Sequence, residues 1–136
     1  MPSISDLSLK NAAAATVVFK PTRSAFSPST FVFEDRTPGV KAGYNTVRVD
    51  TRTNGQNGAT HVDVVLTVPR LAVTAPASGS GVQPNPTRAY AELGALKFTR
   101  PAALEQSVAN DFLAYLQALV ISPQFVAWIR DGDLPY

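Results

Sequence analysis

The chain of 136 residues contains no cysteine and a single histidine, and these shortages exclude most catalytic and metal chemistry. Without cysteine there is no disulfide, no thiolate metal site and no thiol nucleophile. With one histidine, no carboxylates clustered at ligand spacing and no glycine-rich phosphate loop, no nucleophile–base pair or metal-binding set can be nominated. We therefore expect a protein that is not an enzyme and that carries no metal or cofactor.

Long apolar runs are also missing. No run approaches the roughly 20 residues that a membrane-spanning helix needs, and the first 20 residues lack the basic and apolar regions of a signal peptide. Apolar residues nevertheless make up 45% of the chain, which favours a folded chain over a disordered one. The length fits one domain, residues 1–136. We expect a soluble single-domain protein.

Alternation of polar and apolar residues predicts six strands over residues 1–100. Asn54-Gly55 and Asn57-Gly58 supply a hairpin turn between the fourth and fifth strands, whereas Pro69 marks the end or an edge of the fifth. Gly94 predicts a bulge in the sixth strand, and residues 74–86 read as a loop. The predicted strands are a hairpin around Leu7–Leu9 and Thr16–Lys20, then Thr30–Asp35, Asn45–Thr53, Thr60–Val68 and Thr87–Thr99.

Residues 101–136 predict two helices. Pro101 suits a helix start, and apolar residues then recur at spacings of three and four. Ser122 as N-cap and Pro123 at the first helical position begin the second helix, which Gly132 closes. The apolar stripe consists of Leu104, Val108, Phe112, Tyr115, Leu116 and Leu119 in the first helix, and of Phe125, Trp128 and Ile129 in the second.

This order of elements poses a burial problem. The predicted class is α+β, with an N-terminal β-hairpin, an antiparallel meander and two C-terminal helices. An unpaired edge at the last strand and two helices this apolar both favour a partner, although two helices could cover the sheet within a monomer. Edge-to-edge pairing of two sheets, with the helices crossing over, would solve both problems.

The charges are unevenly placed. Residues 1–100 hold 11 Lys and Arg against 6 Asp and Glu, whereas residues 101–136 hold one Arg against four acidic residues. A basic strand region favours a polyanion partner, but ordinary surface charge remains an alternative.

Several segments together resemble the coat proteins of single-stranded RNA bacteriophages, the leviviruses, most closely the Q-beta type. They are NTVRVDTR and HVDVVLTVP in the central strands, PTRAYAE and KFT in the last strand, LQALVISPQF across the two helices, and the terminal Pro135-Tyr136. The resemblance implies an interlocked dimer, each subunit's helices packing on its partner, and an icosahedral shell, typically T=3, around the genome. It makes residues 74–86 an inter-dimer loop. The Q-beta type carries cysteines there, so shell contacts in this chain would be noncovalent.

The same resemblance implies that the inner, polar face of the sheet binds RNA, including an operator hairpin whose binding represses translation. The expected partners are the protein itself and viral RNA, and the expected location is the virion, with assembly in the host cytoplasm. The Tyr90 ring would stack a base, and Arg48 and Arg52 would neutralise phosphates. The expected RNA-binding residues are Thr46, Arg48, Arg52, His61, Asp63, Thr67, Tyr90 and Glu92. The expected dimer-interface residues are Leu104, Val108, Phe112, Leu116, Phe125, Trp128 and Ile129.

Two other interpretations stay open. One is a stand-alone dimeric module that binds single-stranded nucleic acid on a β-sheet. The other is a structural sheet protein that binds no RNA, in which Arg48, Asp50 and Arg52 form a salt-bridged solvent face.

Overall fold

The computed structural model describes residues 5–23, 29–72 and 87–132. They form six antiparallel strands in the order of the sequence, followed by two helices, as the sequence predicts. The predicted loop 74–86 and the terminal Pro135-Tyr136 lie outside the described residues. The strands are β1 (Leu7–Lys10), β2 (Thr16–Arg23), β3 (Thr30–Asp35), β4 (Asn45–Thr53), β5 (Thr60–Leu71) and β6 (Arg88–Arg100).

Side-chain hydrogen bonds shape the turns between strands. In the β1–β2 turn the Asn11 side chain accepts hydrogen bonds from the backbone of Ala13 and Ala15, and Ala14 adopts a φ of 60°. In the β4–β5 turn, the Asn54 and Asn57 side chains accept backbone hydrogen bonds from residues two positions on. Gly58 takes the positive φ there, at 68°. The alanine run between β1 and β2 thus forms a turn because Asn11 supplies the hydrogen-bond acceptor.

One face of the sheet is apolar. The register places Phe33 opposite Val47 and places Val47 opposite Leu66. A cavity of about 180 Å³ is lined jointly by residues of the β1–β2 hairpin, Phe19 among them, and by Leu66 and Val68 of β5. The hairpin therefore curls over the apolar face of the meander. Among the described residues, the buried apolar side chains are Phe19, Val47, Ala59 and Pro69.

A polar cluster closes the β3–β4 connection. Asp35 is 5% exposed and accepts hydrogen bonds from the Thr37 backbone at 3.0 Å, the Thr37 hydroxyl at 2.5 Å and the Asn45 amide at 3.2 Å. Burial raises the pKa of the Asp35 carboxyl, but these hydrogen bonds outweigh it and leave the pKa below the ordinary 3.8. A 3₁₀ helix, Lys41–Gly43, follows the cluster.

Strands β2 and β5 each run three residues further than the sequence predicts, and β2 continues through Pro21 to Arg23. Strand β5 continues through Pro69 to Leu71, because its last pairing with β4 joins Thr67 to Thr46 and the missing N–H of Pro69 therefore costs no bond to that strand. Strand β6 has the predicted length and continues through Gly94, but it is shifted by one residue and ends at Arg100.

The prediction that Pro101 begins a helix is wrong. Strand β6 ends at Arg100, residues 102–103 form a turn, and Leu104 lies before the helix. Helix α1 spans Gln106–Ile121, and α2 spans Pro123–Arg130.

The two helices meet at Ser122, as predicted. The Ser122 hydroxyl accepts a hydrogen bond from the backbone N–H of Phe125 at 3.3 Å, and Pro123 occupies the first helical position. Gly132 follows α2 with a φ of 68°, the conformation expected of a closing glycine. The axes of α1 and α2 differ by 57°. Neither helix alone is long and apolar enough to span a membrane, although the bent pair taken together passes on length and composition.

The chain divides into two compact units, one ending at Thr99 and the other beginning at Arg100. The first contains the sheet and the second contains α1 and α2.

Candidate functional site

Four cross-strand pairs bring the predicted polar residues of β4 and β5 onto one face. The register places Thr46 opposite Thr67 and Arg52 opposite His61 at the two ends, with Arg48 opposite Val65 and Asp50 opposite Asp63 between them. Residues directly opposite one another project to the same side of a sheet. Strand β3 adds Thr30, Val32 and Glu34 to this polar face, and β2 adds Lys20.

The two arginines of the polar face have different environments. Arg48 Nε lies 2.9 Å from Asp50 Oδ2, and Arg48 Nη2 donates to Asp50 Oδ1 at 3.2 Å. The Thr30 hydroxyl also donates to Asp50, at 2.6 Å. The Thr30 hydrogen bond first, and then Arg48, hold the pKa of Asp50 below its ordinary 3.8, against the opposing effect of desolvation. The charge of Arg48 is thus compensated within the protein.

Arg52 and Asp63 lack such partners. Within the described ranges, neither side chain takes part in an ion pair. Arg52 is exposed and lines an open cleft of about 270 Å³ with Thr53, Asn54 and His61. A cation, an imidazole, a hydroxyl and an amide are groups that can donate hydrogen bonds to a phosphate.

His61 joins this cleft to the last strand. Its Nδ1 lies 3.0 Å from the hydroxyl of Thr99 in β6. The sequence did not single out Thr99, because the pairing of β5 with β6 follows a long loop. The position of Thr99 beside His61 assigns it to the polar face.

Tyr90 and Glu92 are exposed residues of β6. Strict alternation would place them on the face opposite Thr99, since they stand at even positions. The backbone N–H of Ala72 donates to the carbonyl of Thr87, so Ala72 lies opposite Thr87. If the antiparallel pairing of β5 with β6 continued from there without interruption, Phe98, and not Thr99, would lie opposite His61. This offset of one residue is what a β-bulge produces. The assignment of Tyr90 and Glu92 to the polar face therefore depends on the bulge predicted at Gly94.

The second candidate surface consists of the helices. Neither α1 nor α2 contains a buried residue. Val108 is 53% exposed and Ile129 is 61% exposed. Leu104, Leu116, Phe125 and Trp128 are half-buried, and the rings of Phe125 and Trp128 meet edge to face with centroids 6.3 Å apart. Helices of this composition in water carry a large uncovered apolar area.

Comparison with known proteins decides the family. The sequence profile of the levivirus coat protein family matches residues 2–129. The chain belongs to the levivirus coat protein family. Members of this family are structural components of the virion and not enzymes, which agrees with the shortage of catalytic groups. No curated protein sequence matches the chain significantly.

Solved structures of levivirus-like coat proteins share the fold. The virus-like particle of bacteriophage ESE058 matches with a TM-score of 0.87 and 20% identity, over 99% of this chain and 100% of that chain. The virus-like particle of bacteriophage NT-214 matches with a TM-score of 0.82 and 23% identity, over 99% and 100% of the two chains. The capsid protein of bacteriophage GA matches with a TM-score of 0.70 and 18% identity, over 93% of each. These similarities establish the α+β fold of hairpin, meander and two helices.

Proposed function

We propose that this coat protein forms a homodimer that assembles into an icosahedral shell, with T=3 quasi-symmetry, around single-stranded RNA. The exposed apolar side chains of α1 and α2 support the dimer, because a surface this apolar is stable when a second subunit covers it. The structural neighbours named as virus-like particles support the shell.

The sheet and the helices have separate roles in this proposal. Val108, Phe112, Ile129 and the other apolar residues of α1 and α2 contact the partner subunit. Residues 74–86 supply contacts between dimers, which are noncovalent because the chain has no cysteine. The polar face of β2–β6 then lies toward the interior, where it meets RNA.

On the polar face, we assign phosphate binding to Arg52 and not to Arg48. An unpaired arginine that neutralises a phosphate releases the counterions condensed on the RNA at that phosphate. An arginine already paired with a carboxylate at 2.9 Å neutralises a phosphate less and therefore releases fewer of them. In this proposal Thr46, Thr67 and the unpaired Asp63 meet base edges, since phosphate contacts position an RNA and base contacts specify it. A stacked base on Tyr90, with Glu92 beside it, would complete recognition of an unpaired loop. Such recognition would also allow repression of translation through an RNA hairpin.

Expression of the chain followed by electron microscopy and size-exclusion chromatography tests the shell. We expect closed particles with nuclease-protected RNA inside. A species that remains a dimer at every salt and protein concentration would contradict the shell and support the stand-alone RNA-binding module instead.

Replacement of the two arginines tests the RNA-binding face. We expect Arg52→Gln to reduce the RNA packaged per particle and to lower the salt dependence of RNA binding by about 0.7 in slope, the value for one phosphate contact to a single strand. Arg48→Gln removes the same charge type from the same strand, and we expect a smaller change. If the double variant Arg48→Ala/Arg52→Ala packages RNA as the natural chain does, the face does not bind RNA and the coat protein is purely structural.

A further inference from the structure

The charges on β4 and β5 nearly cancel on the polar face. Arg48 and Asp50 compensate each other, which leaves Arg52 and Asp63 as the unpaired cation and anion that these two strands place on the polar face within the described part of the chain. These two side chains have opposite signs. Arg70 of β5 stands at an even position, and alternation puts it on the other face. Protonation of His61 therefore adds a positive charge to two strands whose other charges on this face cancel.

His61 is the chain's single histidine, and imidazole is the side chain that ordinarily changes charge between about pH 5 and pH 8. It stands directly opposite Arg52 on β4, and both line the same cleft. The charged groups around it are Arg52 and the paired Asp50 on β4, Asp63 on its own strand, and Lys97 on β6, which shares a face with Thr99 by alternation. Thr99 itself is uncharged.

The contact with Thr99 fixes how the imidazole is presented. Because Nδ1 lies against the Thr99 hydroxyl at 3.0 Å, Nε2 is the nitrogen left to bind a ligand. The hydroxyl can accept from a protonated Nδ1 or donate to an unprotonated one. The ring thus keeps the same partner in both charge states, and protonation adds a positive charge beside Arg52 without requiring rearrangement.

We propose that the Arg52–His61 cleft is a phosphate site whose affinity for RNA rises when His61 is protonated, so that the coat protein holds RNA more tightly in mildly acidic than in mildly alkaline solution. This inference rests on the proposed RNA-binding function and adds a regulator to it. One further cation at a phosphate adds about 0.7 to the salt slope for single strands, which corresponds to about five-fold in affinity near 0.1 M salt.

Fluorescence anisotropy with a labelled single-stranded RNA of mixed sequence tests the proposal, at about pH 5.5 and about pH 7.5 and over a range of salt concentrations. We expect the natural chain to bind about five-fold more tightly at the lower pH, with a steeper salt slope. His61→Gln should bind equally at both pH values, and His61→Lys should bind at the higher pH as the natural chain binds at the lower. Lys20→Gln removes an exposed cation from the same face and should retain the pH dependence.

Two failures are distinguishable. RNA binding that depends on pH to the same extent in the natural chain and in His61→Gln would overturn the His61 proposal and leave RNA binding by the sheet intact. No binding of RNA at either pH would overturn both, because the face would then not be a nucleic-acid surface.

Discussion

Truncation of Ile129 is the sharpest test of the dimer. This side chain is 61% exposed on α2, and full burial of an isoleucine is worth about 1.5–3 kcal/mol. The part left for a partner to cover is therefore worth about 1–2 kcal/mol per subunit. A two-fold interface contains the residue twice, which gives about 2–4 kcal/mol per dimer. Because alanine keeps the β-carbon, we expect the lower end, a rise in the dimer dissociation constant of roughly 30-fold for Ile129→Ala.

Sedimentation of fluorescently labelled, disassembled protein at low concentration measures this constant. Gln124→Ala is the matched control, because Gln124 is an exposed polar residue on the same helix and both changes introduce the residue that most favours a helix. The control should dissociate as the natural chain does, and circular dichroism should show equal helix content in all three proteins. An unchanged dissociation constant for Ile129→Ala would refute the assignment of α2 to the dimer interface.

Three further predictions concern stability, measured by urea unfolding of disassembled protein. Ala14→Gly should raise the free energy of unfolding by about 0.5–1 kcal/mol, because alanine at a φ of 60° is strained and glycine is not. The control is Ala13→Gly, which should lower the free energy of unfolding because Ala13 does not have a positive φ. Gly43→Ala should lower it, because the added β-carbon would lie 3.0 Å from Leu71 Cδ1 and 3.2 Å from Leu71 Cγ, so that the Leu71 side chain must shift; no loss would contradict that packing. The pKa of Asp35 is lower in the folded than in the unfolded chain, so its ionised carboxylate stabilises the folded protein. This contribution to the free energy of unfolding is present above about pH 3.8 and is lost as the pH falls through the folded pKa. Asp35→Asn should therefore be less stable near neutral pH and less sensitive to acid, and a parallel acid response in both proteins would contradict the Asp35 cluster.

The central strands were predictable because short-range patterns decide them. Strands β3 and β4 have the predicted bounds, since alternation and turn residues frame both. The same alternation places Arg48, Arg52, His61 and Asp63 on one face, and the register confirms that grouping. Whether these residues bind RNA stays a prediction.

Other features depend on distant parts of the chain and could not be predicted locally. Pro69 remains within strand β5 because it lies beyond Thr67, the last residue of β5 that pairs with β4. The register of the two strands decides this, and the local sequence does not. Helix α1 begins at Gln106 and not at Pro101, because a turn at residues 102–103 separates it from β6. The pairing of Arg48 with Asp50, and not of Arg52 with Asp50, is decided by side-chain conformation.

A cryo-EM reconstruction of the expressed coat protein tests the central claim most directly. We expect a closed icosahedral particle in which α1 and α2 of one subunit lie against its partner, and in which Arg52 and His61 face RNA density inside the shell. A particle whose polar face contacts no RNA, or a preparation that contains only unassembled subunits, would contradict it.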